Sequence, residues 1–126
     1  MKIINTRLHG ILDYVAAFFL LLPWMINFDT GGPDTRIMAV LGGLTIAISL
    51  CTDYEFGLLK IIPIKFHFIF DVLSAFLLLS LPWFISEMSV AYYWPVVLGA
   101  AEILIVVLSS SDPYSVKPRD IDITKP

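Results

Sequence analysis

The stretch RLHGILDYVAAFFLLLPW, residues 7–24, returns in altered form as KFHFIFDVLSAFLLLSLPW, residues 65–83. Each copy contains a basic residue, a histidine and an aspartate, followed by an apolar run and a Pro-Trp pair. At an offset of 58 positions the first three align: Arg7, His9 and Asp13 with Lys65, His67 and Asp71. Self-similarity at a fixed period indicates one structural unit that is used more than once.

The rest of the chain follows the same plan. Residues 41–43, Leu-Gly-Gly, return as Leu-Gly-Ala at 98–100, and Thr52-Asp53-Tyr54 aligns with Ser-Asp-Pro-Tyr at 111–114. We therefore predict two tandem repeats, the first over residues 7–54 and the second over residues 65–114. The transmembrane domain that contains them is predicted over residues 1–112. Residues 113–126 contain three prolines and mixed charges, so we expect an extended or disordered tail there.

The composition predicts a membrane protein of one domain. Hydrophobic residues make up 58% of the 126 positions, and the mean hydropathy is +0.85. A soluble chain of this size cannot bury so much apolar surface, so the lipid bilayer is the expected partner. The net charge of −3 and the absence of a basic stripe exclude nucleic acid as a partner.

Four apolar segments are the candidate membrane spans, since roughly 20 helical residues cross about 30 Å of hydrocarbon. They run approximately over residues 8–27, 37–51, 65–85 and 91–110. The second is short, and an amphipathic continuation over residues 54–62 would lie at the interface. Residues 28–34 are typical of a turn, with Asp34 or Thr35 as the helix cap. We therefore predict an all-α membrane four-helix bundle made of two transmembrane helical hairpins.

Basic residues predict the orientation of these spans. With four spans, seven basic residues fall on one side of the membrane and only Arg36 on the other. This places the N-terminus, the middle loop and the C-terminus in the cytoplasm of a bacterial inner membrane. No small-residue cleavage site follows the first apolar run, so we expect that segment to be retained. Two hairpins of equal orientation imply a pseudo-twofold axis along the membrane normal.

Three acidic residues fall inside the predicted spans, where ionisable groups are costly and face the bundle interior. They are Asp13, Asp71 and Glu102. Each aspartate lies four residues after a histidine, so each His-Asp pair shares one helix face. Thr45 holds the position in the second segment that Glu102 holds in the fourth. We predict a central polar cluster with possible ligand-binding character, formed by His9, Asp13, His67, Asp71, Glu102 and Thr45.

Several roles for this cluster stay open at the level of sequence. His9, Asp13, His67 and Asp71 are a plausible metal ligand set for zinc or non-haem iron, and two facing imidazoles also suit a haem. With Glu102 the pairs could also bind protons for transport, sensing or redox work. Alternatively, the pairs form hydrogen bonds that hold the helices together. We find no catalytic motif, so the leading expectation is a non-enzymatic structural or assembly protein rather than an enzyme.

Aromatic residues at the ends of the segments are predicted to anchor the helices at the membrane interface. They are Trp24, Trp83, Tyr92, Tyr93 and Trp94. The small residues of segments two and four, around Gly42 and Gly99, permit close helix approach. Together with the thin core of so small a bundle, they lead us to expect a homo-oligomer, most simply a dimer. The single cysteine, Cys51, excludes an intrachain disulfide.

The Leu-Pro-Trp stretches at residues 22–24 and 81–83 resemble the motif of the SPW-repeat family of small bacterial membrane proteins. In that family a two-helix unit carries Ser-Pro-Trp near the end of its first helix, and the unit can occur twice. The resemblance covers residues 7–112, with leucine at 22 and 81 in the place of the serine. It implies a membrane location and a four-helix unit, and it implies no established activity.

Overall fold

The computed structural model describes residues 2–26 and 31–114, and within them the secondary structure is helical apart from isolated bridges. The helices are α1 (Thr6–Ile26), α2 (Pro33–Cys51), α3 (Ile64–Phe84) and α4 (Tyr93–Leu108). Helix α1 packs closely on α2, and α3 on α4, with fewer contacts between the two pairs. The predicted all-α bundle of two hairpins is therefore confirmed.

Three of the four helices are long and apolar enough to cross a membrane. Helices α1, α2 and α3 have 21, 19 and 21 residues. Helix α4 has 16 residues, or about 24 Å, so its role as a fourth span stays a prediction. Large apolar side chains such as Leu73, Phe76 and Val107 are exposed on the outside of the bundle, as expected for a lipid-facing surface.

The start of α2 differs from the prediction. Gly32 is the N-cap residue and Pro33 opens the helix, because proline has the backbone angle of a first helical residue and needs no hydrogen bond there. Asp34 does not cap α2; its Oδ2 atom accepts hydrogen bonds from the backbone N–H groups of Ser89 and Val90, at 2.7 and 3.0 Å. Asp34 therefore ties the start of α2 to the loop between α3 and α4.

The segment between the hairpins, residues 54–62, also does not continue α2 as the predicted amphipathic stretch. It is irregular and doubles back, so that Thr52 and Ile62 form an isolated parallel bridge. Gly57 permits this path, because a Cβ atom there would lie 1.7 Å from the carbonyl oxygen of Thr52. Residues 28–30 of the predicted turn and residues 115–126 of the predicted tail lie outside the described residues.

Each hairpin closes around one glycine. A Cβ atom on Gly42 would lie 3.1 Å from the carbonyl oxygen of Ala17, and one on Gly99 would lie 2.7 Å from that of Ala75. These two sites correspond in the aligned repeats. Both glycines therefore pack inside their own hairpin, and the homo-oligomer that we expected stays a prediction.

Substituting alanine at either glycine is expected to destabilise the bundle. The added methyl forces the helices apart, and overpacking of this kind costs about 1–3 kcal/mol. The loss should be larger for Gly99→Ala than for Gly42→Ala, because the Gly99 site is tighter. The free energy of unfolding in detergent measures both. Gly43→Ala is the control: it has nothing within 4 Å and should be neutral or stabilising, since alanine favours helix.

Candidate functional site

Four ionisable side chains meet at the junction of the two hairpins. His9 and Asp13 lie one turn apart on α1, and His67 and Asp71 lie one turn apart on α3. All four are buried, with exposed fractions of 1, 7, 0 and 5%. Their candidate ligand atoms lie within 4.8 Å of one another. The cluster is thus placed by helix periodicity and by the packing of α1 against the second hairpin.

Each imidazole contacts both carboxylates. The Nε2 atom of His9 lies 3.3 Å from Oδ1 of Asp13 and 3.2 Å from Oδ2 of Asp71. The Nε2 atom of His67 lies 2.8 Å from Oδ2 of Asp13 and 3.3 Å from Oδ2 of Asp71. The shortest contact joins the two hairpins, so the pairing predicted within each helix is accompanied by pairing across the junction.

The other ring nitrogens are held by hydroxyl groups at the ends of α2 and α4. Nδ1 of His9 lies 2.7 Å from Oγ of Ser109, and Nδ1 of His67 lies 2.9 Å from Oγ1 of Thr52. The serine hydroxyl donates to the carbonyl oxygen of Ile105 at 2.6 Å. The threonine hydroxyl donates in the same way to Ile48 at 2.7 Å.

These hydroxyl groups determine that Nδ1 is protonated in both histidines. A hydroxyl has a single proton, and the hydroxyls of Thr52 and Ser109 direct theirs at a backbone carbonyl. Each can therefore only accept a hydrogen bond from the ring. Nδ1 of His9 and of His67 is thus protonated, and Nε2 also carries a proton, which it donates to the carboxylate oxygens. Holding the Nδ1–H group in this way is typical of metal-binding histidines.

Glu102 and Thr45, the other two predicted members of the cluster, lie at its side. Oε2 of Glu102 accepts a hydrogen bond from Oγ of Ser74 at 3.0 Å. The hydroxyl of Thr45 donates to the carbonyl oxygen of Leu41 at 2.9 Å. Both residues line a cavity of about 10 Å³ together with His9, Asp13 and Asp71. A cavity of this volume is near the smallest that holds one water molecule.

Tyr54 closes the cluster at the end where the hairpins are connected. Its side chain is fully buried, and its ring centroid lies 5.9 Å from that of His67. A Cβ atom at Gly10 would collide with the tyrosine ring, at 2.3 Å from its Cε2 atom, so the glycine makes room for it. Burial raises the pKa of the Tyr54 phenol, whose hydroxyl faces those of Ser49 and Tyr14. Within the described residues no group meets the distance and angles of a hydrogen bond to it.

We expect Tyr54→Phe to leave metal binding unchanged and to stabilise the fold by about 1 kcal/mol, because a buried hydroxyl without a partner costs free energy. Thermal unfolding compares the variant with the wild type. Tyr92→Phe is the control, since its side chain is 69% exposed and the loss of its hydroxyl should be neutral. A destabilised Tyr54→Phe protein would show that the phenol has a partner.

The predicted aromatic anchors lie at the opposite ends of the helices. Trp83, Tyr92 and Tyr93 are 80, 69 and 58% exposed. Trp24 is half-buried, and the indole N–H of Trp94 donates to the carbonyl oxygen of Phe19 at 3.2 Å. Their exposure and position are compatible with membrane anchoring, which stays a prediction.

The sequence did not single out the residues that surround the cluster. Thr52 was aligned with Ser111, whereas the residue that makes the equivalent contact is Ser109. Ser74 and Tyr54 were also not among the predicted site residues. A usable signal was present: Thr52 and Ser109 are the C-cap residues of α2 and α4, and hydroxyl side chains there can reach back to the carbonyl four residues earlier.

The geometry fits a metal ion and does not fit a haem. In a tetrahedron of bonds of about 2.0–2.1 Å, the ligand atoms are about 3.3–3.4 Å apart. The four nitrogen–oxygen distances here are 2.8–3.3 Å, so small outward movements would admit an ion. A porphyrin would have to lie between the two imidazoles, where the carboxylates of Asp13 and Asp71 lie instead.

Comparisons with protein-family models, with curated proteins and with solved structures find no match to this chain. The function is therefore argued from the site itself.

Proposed function

We propose that this protein binds one divalent metal ion between its two membrane hairpins, with His9, Asp13, His67 and Asp71 as the ligands. The observation that carries the proposal is the convergence of two Nε2 atoms and two carboxylates, with both Nδ1–H groups held from behind by hydroxyls. Mixed nitrogen and oxygen ligands of this kind suit zinc and ferrous iron.

Charge balance is compatible with the same proposal. Coordination displaces the two Nε2 protons and leaves both imidazoles neutral, so the two aspartates then give the cluster a charge of −2, which would be unfavourable at a buried position in a membrane protein. One divalent ion neutralises it. Lys60, a nearby basic residue of the connecting segment, is engaged elsewhere: its Nζ atom donates to the carbonyl of Tyr54 and the hydroxyl of Tyr114, at 2.6 and 2.8 Å.

The test is metal titration of detergent-purified protein after treatment with a chelator. We expect one Zn²⁺ or Co²⁺ per chain. The visible absorption spectrum of the Co²⁺ form should be that of an ion with fewer than six ligands. The double variant Asp13→Asn with Asp71→Asn keeps the side-chain shapes and should lose this binding. Asp34→Asn is the matched control, because Asp34 is equally buried and is bonded to a remote loop. Absence of stoichiometric uptake by the wild type would contradict the proposal.

Metal affinity should fall as the pH is lowered. Protons compete with the ion for the ring nitrogens and the carboxylates, and binding therefore releases protons. Titrations in buffers of different ionisation enthalpy measure the number released, and the apparent affinity at each pH gives the slope. An affinity that does not change across the histidine range would show that these imidazoles are not ligands.

A structural role for the cluster is the second candidate, because the same contacts also link the hairpins in the absence of an ion. The two candidates differ in how metal affects stability. An ion that binds the folded state should add about 2.7 kcal/mol at a hundredfold excess over its dissociation constant. A purely structural cluster gives a melting temperature that added metal does not change.

We also propose the setting in which the site works. The lipid bilayer of a bacterial inner membrane surrounds four spans, with both termini cytoplasmic, and the chain assembles as a homo-oligomer. The two hairpins are proposed to be copies of one unit of the SPW-repeat type. Support for the copies comes from matching contacts: Gly42 and Gly99 pack alike, and the Ile4–Ser109 bridge corresponds to the Thr52–Ile62 bridge.

A further inference from the structure

We propose that the metal ion keeps one coordination position open towards Glu102, and that this position binds water or another neutral ligand of one heavy atom that donates hydrogen bonds. This inference depends on the proposed metal site and specifies what that site binds besides its protein ligands. The four protein ligands would complete a tetrahedron by themselves, so the open position is a fifth one, a coordination number to which zinc sites can expand when a further ligand binds.

The position is a cavity on one side of the cluster. Three of the four proposed ligands, His9, Asp13 and Asp71, line it, and its volume of about 10 Å³ is near that required by one water molecule. Its other walls come from Ala16, Thr45, Glu102, Ile105 and Val106. A molecule in this cavity would therefore lie beside the ligand atoms and within the bundle.

The polar walls of the cavity select the chemical class of the ligand. Glu102 is only 8% exposed. Its Oε2 atom lies 3.0 Å from Oγ of Ser74, whose single proton is also directed at the carbonyl oxygen of Asp71 at 3.0 Å. The hydroxyl of Thr45 directs its proton at the carbonyl of Leu41, so its oxygen can only accept. This oxygen and the carboxylates of Asp13 and Asp71 in the same wall favour a bound donor such as water, and they disfavour small anions.

The cavity is present on one side because the two hairpins differ there. In the aligned repeats Glu102 corresponds to Thr45, and Ser74 corresponds to Ala16. Ser74 fills its position and donates to Glu102 at 3.0 Å. Ala16, with a smaller side chain, lines the open space. These two differences between the repeats thus place the carboxylate of Glu102, the hydroxyl of Ser74 and the cavity next to one another.

The experiment uses Mn²⁺ as the probe, in the chelator-treated full-length chain in detergent. Water enriched in oxygen-17 broadens the electron paramagnetic resonance lines of manganese when a water molecule is bound directly. We expect broadening in the wild type. In Ala16→Val, which fills the cavity, we expect the same manganese content and no broadening. Ala47→Val, the same change at an exposed position, should behave as the wild type does.

A second variant keeps the test decisive if Ala16→Val does not fold. Glu102→Leu replaces the carboxyl group in the cavity wall with an apolar side chain, and it should also retain manganese and lose the broadening. Manganese uptake without broadening in the wild type, or broadening that persists in a folded variant, would overturn the open position and leave the metal site intact. Failure of the wild type to bind any divalent ion would instead overturn the proposed function.

Discussion

Replacing His67 with alanine is expected to abolish stoichiometric metal binding and to destabilise the metal-free protein by about 3–5 kcal/mol, the cost of removing one partner of a buried charged pair. The reason is the position of Asp13, which is 7% exposed and makes its shortest contact, 2.8 Å, with His67. Without the imidazole its charge is buried with a weaker partner. Metal content and the free energy of unfolding measure the two effects separately.

His9→Ala should lose the ion as well, since it supplies the equivalent Nε2 atom. Phe66→Ala is the control: it deletes a ring from the neighbouring position on α3, but its side chain is 64% exposed, so the ion should stay. If either histidine variant retained one tightly bound ion per chain, the assigned ligand set would be wrong. If the metal-free variants were as stable as the wild type, the cluster would contribute nothing to folding.

The sequence was sufficient to predict the bundle and the six polar residues that meet in it. Helices α1 and α3 are read directly from long apolar runs, and each His-Asp pair follows from a spacing of one helical turn. Glu102 was predicted from its position inside a span, and Thr45 from its alignment with Glu102 in the repeats. The site therefore follows from local periodicity and from the similarity of the repeats.

The sequence did not predict how the two pairs engage one another. Contacts such as His67 to Asp13 depend on how the hairpins pack, and helix periodicity contains no information about this. The hydroxyl of Ser109 was missed because the second hairpin is shorter by two positions than the alignment assumed. The path of residues 52–62 depends on Gly57 and on a bridge to Thr52, and these tertiary contacts override the amphipathic pattern.

The hydroxyl groups behind the histidines give a second sensitive test of the metal centre. Thr52→Val keeps the side-chain shape and removes the acceptor for Nδ1–H of His67, and Ser109→Ala does the same for His9. Loss of such a supporting contact lowers metal affinity by about 10–100-fold. We expect an effect of this size for each variant, measured by competition with a chromophoric chelator, with the bundle still folded.

Thr35→Val is the matched control, because Thr35 is also fully buried and its hydroxyl donates to the carbonyl of Gly32, remote from the cluster. It should leave the affinity unchanged. The double variant Thr52→Val with Ser109→Ala distinguishes two ways in which the hydroxyls act. Independent orientation of two ligands predicts that the two losses in binding free energy add. If only one of the two imidazoles is oriented by its hydroxyl, one single variant lowers the metal affinity as much as the double variant does. The histidine of that hairpin then contributes more to metal binding than the other histidine.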